Sequence, residues 1–281
     1  MIKIVCLVEN QSNNEGFESE HGLSLLIEMD SKKILFDTGA SDLFLENAKK
    51  MDIKLDEVDL VVVSHGHNDH GGGLGTFFEV NNKSRVFMAK GADKKHFKIF
   101  NSIRTDISLD STILELQQDR IIFLDESKEL IPDLHILTRV KRIYPLPQGN
   151  QVLFEEYGDE FVRDKFNHEL IMIIDTPSGL LVFTGCSHSG ILNMINFVTD
   201  KFPERFIRAV FGGFHLMIPP DIDSLSGTRE EVEELGMKLL QLPIGTIYTG
   251  HCTGNRAYTI LNEIMGDKIQ YLSTGGVLKI Q

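Results

Sequence analysis

The sequence predicts an α/β protein in which buried strands alternate with helices. Short, continuous apolar runs such as VVVS, LLVFTG and IRAVFG recur along the chain, and such runs suit strands that are buried on both faces. Stretches with apolar residues at helical spacing lie between the later runs. The chain has 281 residues, of which 42% are hydrophobic and 25% charged, so one large domain can bury a sizeable core.

The first third of the chain predicts strands, one hairpin and one helix. Residues 1–8 read as a strand, and LSLLIEM and KKILFD are joined by the turn-like DS, which predicts a hairpin within 23–36. SDLFLENAKKMD has helical spacing, with Ser41 or Asp42 able to cap the helix. DLVVVS is then a short buried strand that carries a histidine cluster at its carboxyl end.

The alternation of apolar strands and helices becomes irregular between about residues 76 and 165 and is regular again afterwards. SRVFMAK, RIIFLD and LHILTR predict strands, and we interpret the rest of this region as an insertion that is partly core and partly lid. ELIMIID, LLVFTG, IRAVFGGFHL and IGTIYTG then predict strands, whereas GILNMINFVTD and NRAYTILNEIM predict helices. A further helix opens with Thr228 and Glu231 in the spacing of a capping box.

Charge and composition narrow the class of partner. The 41 acidic and 28 basic side chains give a net charge of −13, which argues against a nucleic-acid surface but leaves room for a small anionic metabolite. No apolar run approaches the roughly 18 residues of a membrane span. MIKIVCLVEN reads as a strand and not as a signal peptide, and three widely spaced cysteines suit a reducing compartment, so we expect a cytoplasmic protein.

The stretch SHGHNDHGGGL gathers His65, His67 and His70 within six residues, with Asp69 among them. The chain has only 10 histidines, which disfavours a polar loop with incidental imidazoles. Two residues apart on extended chain, His65 and His67 point the same way, whereas Asp69 and His70 follow a turn and aim at a second point. Imidazoles suit zinc, iron or manganese, and the carboxylate favours a second cation nearby.

Further candidate ligands follow other short apolar strands. These residues are Cys186, His188, His215 and His251. Ligands of α/β proteins gather beyond the carboxyl ends of the strands, and the neighbouring glycines allow close approach of the backbone. We therefore expect several strand ends to meet at one site.

These motifs resemble those of the metallo-β-lactamase superfamily. SHGHNDHGGGL is similar to its His-x-His-x-Asp-His motif, LLIEMDSKKILFDTGAS to the strand pair before it, and FTGC and TGHCTG to its later metal-site strand ends. The resemblance implies a single domain over residues 1–281 with an αββα four-layer sandwich. It also implies one or two divalent metal ions, with zinc the first choice and iron or manganese the alternatives.

The resemblance implies a ligand set as well. His65 and His67 bind the first metal, and Asp69, His70 and His251 bind the second. Asp37, in FDTG, corresponds to an acid that orients the cluster through hydrogen bonds, although a turn-forming aspartate is the alternative.

Cys186 stands where most superfamily hydrolases have a bridging aspartate. A thiolate is a good zinc ligand, but a buried, inert cysteine is an equal alternative. The third histidine of the first metal is open as well. His168 lies 18 residues before Cys186, at the superfamily spacing, and His188 lies two residues after it in CSHSG. Either can complete the first site, and His188 is slightly favoured because a glycine-flanked strand end is expected to point into the cleft.

EHGLSLLIE, FTGCSHSGI, FGGFHL and GHCTG resemble a subfamily named for dihydropterin–ribofuranosylaminobenzene phosphate synthases. His21 and His215 lie in these phrases and are candidate pocket groups, with a satisfied core histidine as the alternative. The expected function is hydrolysis of a small phosphorylated metabolite by a metal-activated water, with Asp69 and His215 handling protons. The alternatives are a transferase-like enzyme on the pterin substrate and a non-catalytic, metal-bound metabolite sensor. Dimerisation through the insertion is a further expectation.

Overall fold

The computed structural model describes residues 1–29 and 32–280. The strands are β1 (Ile2–Val8), β2 (Ser24–Met29), β3 (Lys32–Phe36), β4 (Leu60–Val63), β5 (Arg85–Ala89), β6 (His96–Phe100), β7 (Ile103–Asp106), β8 (Ile121–Leu124), β9 (Lys128–Ile131), β10 (Leu134–Thr138), β11 (Leu153–Tyr157), β12 (Glu160–Arg163), β13 (Leu170–Thr176), β14 (Gly179–Phe183), β15 (Ile207–Phe211), β16 (Ile244–Thr249), β17 (Ile269–Tyr271) and β18 (Val277–Ile280). The α-helices are α1 (Leu43–Lys50), α2 (Asn68–Gly71), α3 (Leu74–Val80), α4 (Ser111–Leu116), α5 (Ile191–Lys201), α6 (Arg229–Leu240) and α7 (Asn255–Met265).

The chain divides into two compact units. The first unit comprises residues 1–125, 152–168 and 273–281, and the second comprises residues 126–151 and 169–272. Each unit contains a seven-stranded sheet and helices, so the predicted α/β class is confirmed. Among the described residues, no helix is both long enough and apolar enough to cross a membrane.

The main sheet of the first unit has the strand order β18-β1-β2-β3-β4-β5-β8. β3, β4, β5 and β8 run parallel, whereas β2 pairs antiparallel with both β1 and β3. The predicted strand pair is thus present, although its DS turn lies outside the described residues. Every residue of β4 is buried, as expected for a central parallel strand whose two faces are both covered.

The core of the first unit holds α1 and α3 against this sheet. Phe44 and Phe77 are fully buried among the sheet's aliphatic side chains, and truncation of such a phenylalanine to alanine typically costs roughly 3–5 kcal/mol. At the start of α1, the Ser41 hydroxyl accepts a hydrogen bond from the Leu43 amide, while the Asp42 carboxylate accepts none from the helix. Of the two predicted caps, Ser41 provides the contact.

The region predicted as an insertion contributes strands to three sheets. β6, β7, β11 and β12 form a separate four-stranded antiparallel sheet of the first unit, in the order β12-β11-β6-β7. β5 and β8 join the main sheet of the first unit, and β9 and β10 join the sheet of the second. The three strands predicted within this region, β5, β8 and β10, are all present.

The sheet of the second unit has the order β17-β16-β15-β14-β13-β10-β9. β14, β15, β16 and β17 run parallel, so their carboxyl ends lie at the same edge of the sheet. Helices α5, α6 and α7 supply apolar side chains to the core of this unit. The capping box of α6 is confirmed, because the Thr228 hydroxyl accepts from the Glu231 amide and the Glu231 carboxylate accepts from the Thr228 amide.

Candidate metal centre

The turn after β4 presents His65 and His67 side by side. Both are buried, and Nε2 of His65 lies 3.1 Å from Nδ1 of His67. His67 has extended backbone, so two side chains that are two residues apart point the same way, as the sequence predicted. Burial lowers the pKa of His67 well below its ordinary value, which keeps the imidazole neutral as a metal ligand requires.

Asp37 fixes the orientation of this turn through hydrogen bonds to Ser64 and His70. It follows β3 and is fully buried with φ +60°, a backbone conformation that aspartate tolerates better than most residues. Its carboxylate accepts hydrogen bonds from the amide of Ser64 at 2.7 Å, the hydroxyl of Ser64 at 2.8 Å and Nδ1 of His70 at 2.7 Å. Because Nδ1 of His70 carries the hydrogen, its Nε2 presents a lone pair.

Asp69 occupies the first turn of α2, next to His70. Its Oδ2 atom lies 3.7 Å from Nε2 of His70 and 3.3 Å from Nε2 of His21. The Asn10 side chain contacts Nδ1 of His21 at 3.2 Å. The contacting atom is the Asn10 amide nitrogen, which only donates, so Nδ1 of His21 accepts and Nε2 carries the hydrogen that it donates to Asp69. The structure therefore places His21 as a partner of Asp69 in the half-buried rim of the turn.

His168 belongs to a second cluster in the first unit. Its Nδ1 accepts a hydrogen bond from the Gly66 amide at 2.9 Å, and its Nε2 lies 3.0 Å from Oδ2 of Asp164. Nδ1 of His96 lies 3.1 Å from the same oxygen. Burial alone raises the pKa of Asp164, but His168 and His96 outweigh it and hold that pKa well below its usual range. Asp164 is therefore ionised between the two rings.

In the second unit, Cys186 and His188 follow β14, as predicted, and both are buried. Asn150 donates from its amide nitrogen to the His188 carbonyl at 2.8 Å, which orients its side-chain oxygen toward Nδ1 of His188 at 3.0 Å. An amide oxygen only accepts, so Nδ1 of His188 carries the hydrogen and Nε2 presents a lone pair. His168 and His188, the two alternatives for the third ligand, therefore differ in their hydrogen bonds. Nδ1 of His168 accepts a hydrogen bond, whereas Nδ1 of His188 donates one.

Glu169 holds the backbone around His188. Its carboxylate accepts from the His188 amide at 2.6 Å and from the Ser189 amide at 2.7 Å. Burial raises the pKa of Glu169 to about 7, although these amide hydrogen bonds partly oppose the increase. A carboxylate that satisfies two consecutive amides fixes the turn after Cys186.

His215 and His251 follow the parallel strands β15 and β16 and lie at the same edge of the sheet as Cys186. Both are buried, and both have positive φ, +51° for His215 and +48° for His251. A His251 ring nitrogen lies within 4.8 Å of the Cys186 sulfur. The His215 ring lies 4.3 Å from the His188 ring, centroid to centroid. Such backbone strain in non-glycine residues is common at functional sites.

Sequence reasoning missed five buried polar residues beside these groups: His96, Asn150, Asp164, Glu169 and Cys252. Glu169 had a signal, because it is a charged residue directly before the apolar run of β13. Cys252 adjoins a predicted ligand and also had a signal. The other three lie in the irregular region before residue 165, and no local pattern connects them with the motifs.

Comparisons with known proteins bear on this arrangement. A sequence profile described as the metallo-beta-lactamase superfamily matches residues 20–251. The chain is 31% identical, over 99% of its own length and 96% of the relative's, to a protein of Methanocaldococcus jannaschii named 7,8-dihydropterin-6-methyl-4-(beta-D-ribofuranosyl)-aminobenzene-5'-phosphate synthase.

Solved structures are similar as well. One, described as a metal-dependent hydrolase of the beta-lactamase superfamily, has a TM-score of 0.83 and 32% identity, with 100% of this chain and 99% of that chain covered. Zn2+-bound PqqB from Methylobacterium extorquens has a TM-score of 0.59 at 12% identity, over 99% of this chain and 100% of that one, which shows the fold alone. The expected fold class is confirmed by these likenesses along the whole chain.

Proposed function

The chain belongs to the metallo-β-lactamase superfamily, and from that premise we propose that it is a metal-dependent hydrolase of a small phosphorylated metabolite. The observation that carries the proposal is the buried pair of nitrogens, Nε2 of His65 and Nδ1 of His67, 3.1 Å apart at the end of a strand. A divalent metal held there lowers the pKa of a bound water to about 7 and stabilises developing negative charge.

The ligand assignment follows the superfamily pattern residue by residue. His65 and His67 serve the first metal, and Asp69, His70 and His251 serve the second, with Cys186 in place of the usual aspartate. The tautomer of His70 supports its role as a metal ligand, because Asp37 holds the hydrogen on Nδ1 and leaves the lone pair of Nε2 for the metal. Zinc is the first choice for a set of imidazoles, carboxylate and thiolate, with iron or manganese as alternatives.

His188, and not His168, is our choice for the third ligand of the first metal. His168 accepts from the Gly66 amide through Nδ1 and donates to Asp164 through Nε2, so both of its nitrogens already have protein partners. His188 donates through Nδ1 to Asn150, which leaves the lone pair of Nε2. In this proposal His168 is a positioning residue that holds the amide between His65 and His67.

Two side chains handle protons in the proposed hydrolysis. The oxygen of the attacking water forms a bond to phosphorus, and the bond from phosphorus to the leaving oxygen breaks. Asp69, oriented by His21, accepts the proton that the water loses. His215 gives a proton to the leaving oxygen, a role that suits a buried imidazole whose ring nitrogens have no hydrogen-bond partner among the described residues.

The name of the Methanocaldococcus jannaschii relative favours a second candidate, a transferase-like enzyme on a dihydropterin and a ribofuranosylaminobenzene phosphate. Both candidates share the metal ligands and differ in the group that attacks. The chain has no tryptophan, so pterin fluorescence can be followed without overlap from the protein's own indoles.

The test measures metal content by elemental analysis and turnover of chromogenic phosphomonoesters and phosphodiesters. We expect one or two metals per chain, with the first metal and turnover both lost in His67→Ala and both retained in His135→Ala, a histidine of β10 outside these clusters. Turnover in His67→Ala at the wild-type rate would refute the proposal. Metal-dependent pterin binding without ester cleavage would favour the second candidate.

A further inference from the structure

Cys186, His215 and Cys252 form a cluster of buried donor atoms in the second unit. The three residues have relative exposures of 3%, 4% and 1%, and the two sulfurs and a ring nitrogen of His215 lie within 4.8 Å of one another. Two sulfurs and one imidazole nitrogen are a ligand set that soft or borderline metal ions prefer.

The ring nitrogens of His215 point to a ligand-binding role for this cluster. Both of its ring nitrogens are buried, and neither has a hydrogen-bond partner among the described residues. A buried imidazole in a folded protein normally satisfies at least one nitrogen, because leaving it without a partner forfeits the hydration it had in water. A bound ion would satisfy one nitrogen, and the other would keep its hydrogen for the leaving group.

The backbone is shaped to bring the three side chains together. A Cβ at Gly213 would lie 2.4 Å from the Cys252 sulfur, and a Cβ at Gly149 would lie 2.9 Å from the His215 ring, so the two glycines leave the space that these side chains occupy. The His215 amide donates to the Cys252 sulfur at 3.2 Å. Gly213 of FGGFH and Gly149 therefore allow the thiol of TGHCTG and the His215 ring to lie together.

We propose that Cys252 is a second sulfur ligand, and that Cys186, His215 and Cys252 together hold a thiophilic metal ion such as Zn2+. This goes beyond the proposed function, in which Cys186 is the one sulfur ligand and pairs with His251. Each thiol releases its proton when its sulfur binds the ion. Cys186 is common to both ligand sets, and Cys252 and His215 are the ligands that this inference adds.

Cobalt substitution tests the assignment, because sulfur-to-Co2+ charge transfer absorbs in the near ultraviolet in proportion to the number of bound thiolates. Chelator-treated, reduced protein is titrated with Co2+ alone. We expect Cys252→Ser and Cys186→Ser each to halve this absorbance. Cys6→Ser is the matched control, since Cys6 is an equally buried cysteine in β1 of the other unit, and it should leave the absorbance unchanged. Cys252→Ala and circular dichroism guard against a misfolded serine variant.

His215→Ala should retain the charge-transfer band but need a higher Co2+ concentration to reach it. Full wild-type absorbance in Cys252→Ser and in Cys252→Ala would overturn the inference while leaving the proposed function intact. A sulfur band that is unchanged in His67→Ala but halved in Cys252→Ser would separate the sulfur site from the first metal site and support the inference. The last measurement is a count of free thiols before the protein is reduced. A Cys186–Cys252 disulfide as the resting state of the protein would also overturn the inference.

Discussion

Oδ2 of Asp37 lies 2.7 Å from Nδ1 of His70, and both side chains are fully buried. The same carboxylate accepts from the amide and the hydroxyl of Ser64, the residue before His65. One carboxylate therefore positions both ends of the histidine turn. It also fixes the tautomer in which Nε2 of His70 is the ligand atom.

Asp37→Asn should weaken metal binding. Asparagine keeps the shape and tolerates the positive φ of this position, but it removes the charge that orients His70. Loss of such an outer contact typically lowers metal affinity by about 10–100-fold. Competition with a chromogenic chelator measures the change, and Asp42→Asn, an exposed aspartate whose side chain does not cap α1, is the control. Equal affinities in the two variants would contradict the role given to Asp37.

His168→Asn and His188→Asn should differ in metal stoichiometry. The side-chain oxygen of asparagine can replace Nδ1 of His168 as acceptor for the Gly66 amide, so we expect this variant to keep its metal. His188→Asn removes Nε2, which we propose as the ligand atom, and should lower the metal content by up to one ion per chain. Elemental analysis of both variants decides the matter. The reverse result would make His168 the ligand.

Glu169→Gln should destabilise the metal-free protein. The two oxygens of Glu169 satisfy the amides of His188 and Ser189, whereas glutamine offers only one acceptor. A buried amide without a partner costs about 1–3 kcal/mol. Urea unfolding after chelation measures the loss without a contribution from bound metal. A change below the error of the extrapolated free energy would show that the turn relaxes around the substitution.

Thr228→Ala should lower the free energy of unfolding by about 1 kcal/mol, because it removes the hydroxyl of the capping box at the start of α6. Thr228→Ser keeps that hydroxyl and should stay within a few tenths of the wild-type value. Denaturant unfolding compares the two variants. Turnover and metal content should be unchanged in both, since the cap lies at the exposed end of the helix; a loss of metal in Thr228→Ala would be inconsistent with this expectation.

The histidine motif could be predicted from the sequence because its geometry is local. His65 and His67 point the same way through the alternation of extended chain, and the turn that follows places Asp69 and His70 in α2. The positions of Cys186, His215 and His251 at one sheet edge also followed from local signals. Each ends a short apolar strand, and β14, β15 and β16 are parallel neighbours.

The partners of these residues could not be predicted in the same way. Asp164 reaches His96 across 68 residues of sequence, and Asn150 reaches His188 across 38. No periodicity connects such positions, because their proximity depends on how whole strands pair in a sheet. The hydrogen bonds of His168 to Gly66 and Asp164 and of His188 to Asn150 support the proposed choice of His188, which the glycine-flanked strand end favoured only slightly.

The α/β class, the superfamily resemblance and most of the expected ligand types could be predicted from the sequence, because strand periodicity and short motifs act over a few residues. Only the folded chain shows which ring nitrogens of His70, His168 and His188 have protein partners, and that Cys252 lies beside Cys186 and His215. The physical reason is that both features depend on atoms from distant segments of the chain. A ring nitrogen donates or accepts according to its neighbour in space, and Gly213 and Gly149 leave space for side chains that lie far from them in sequence.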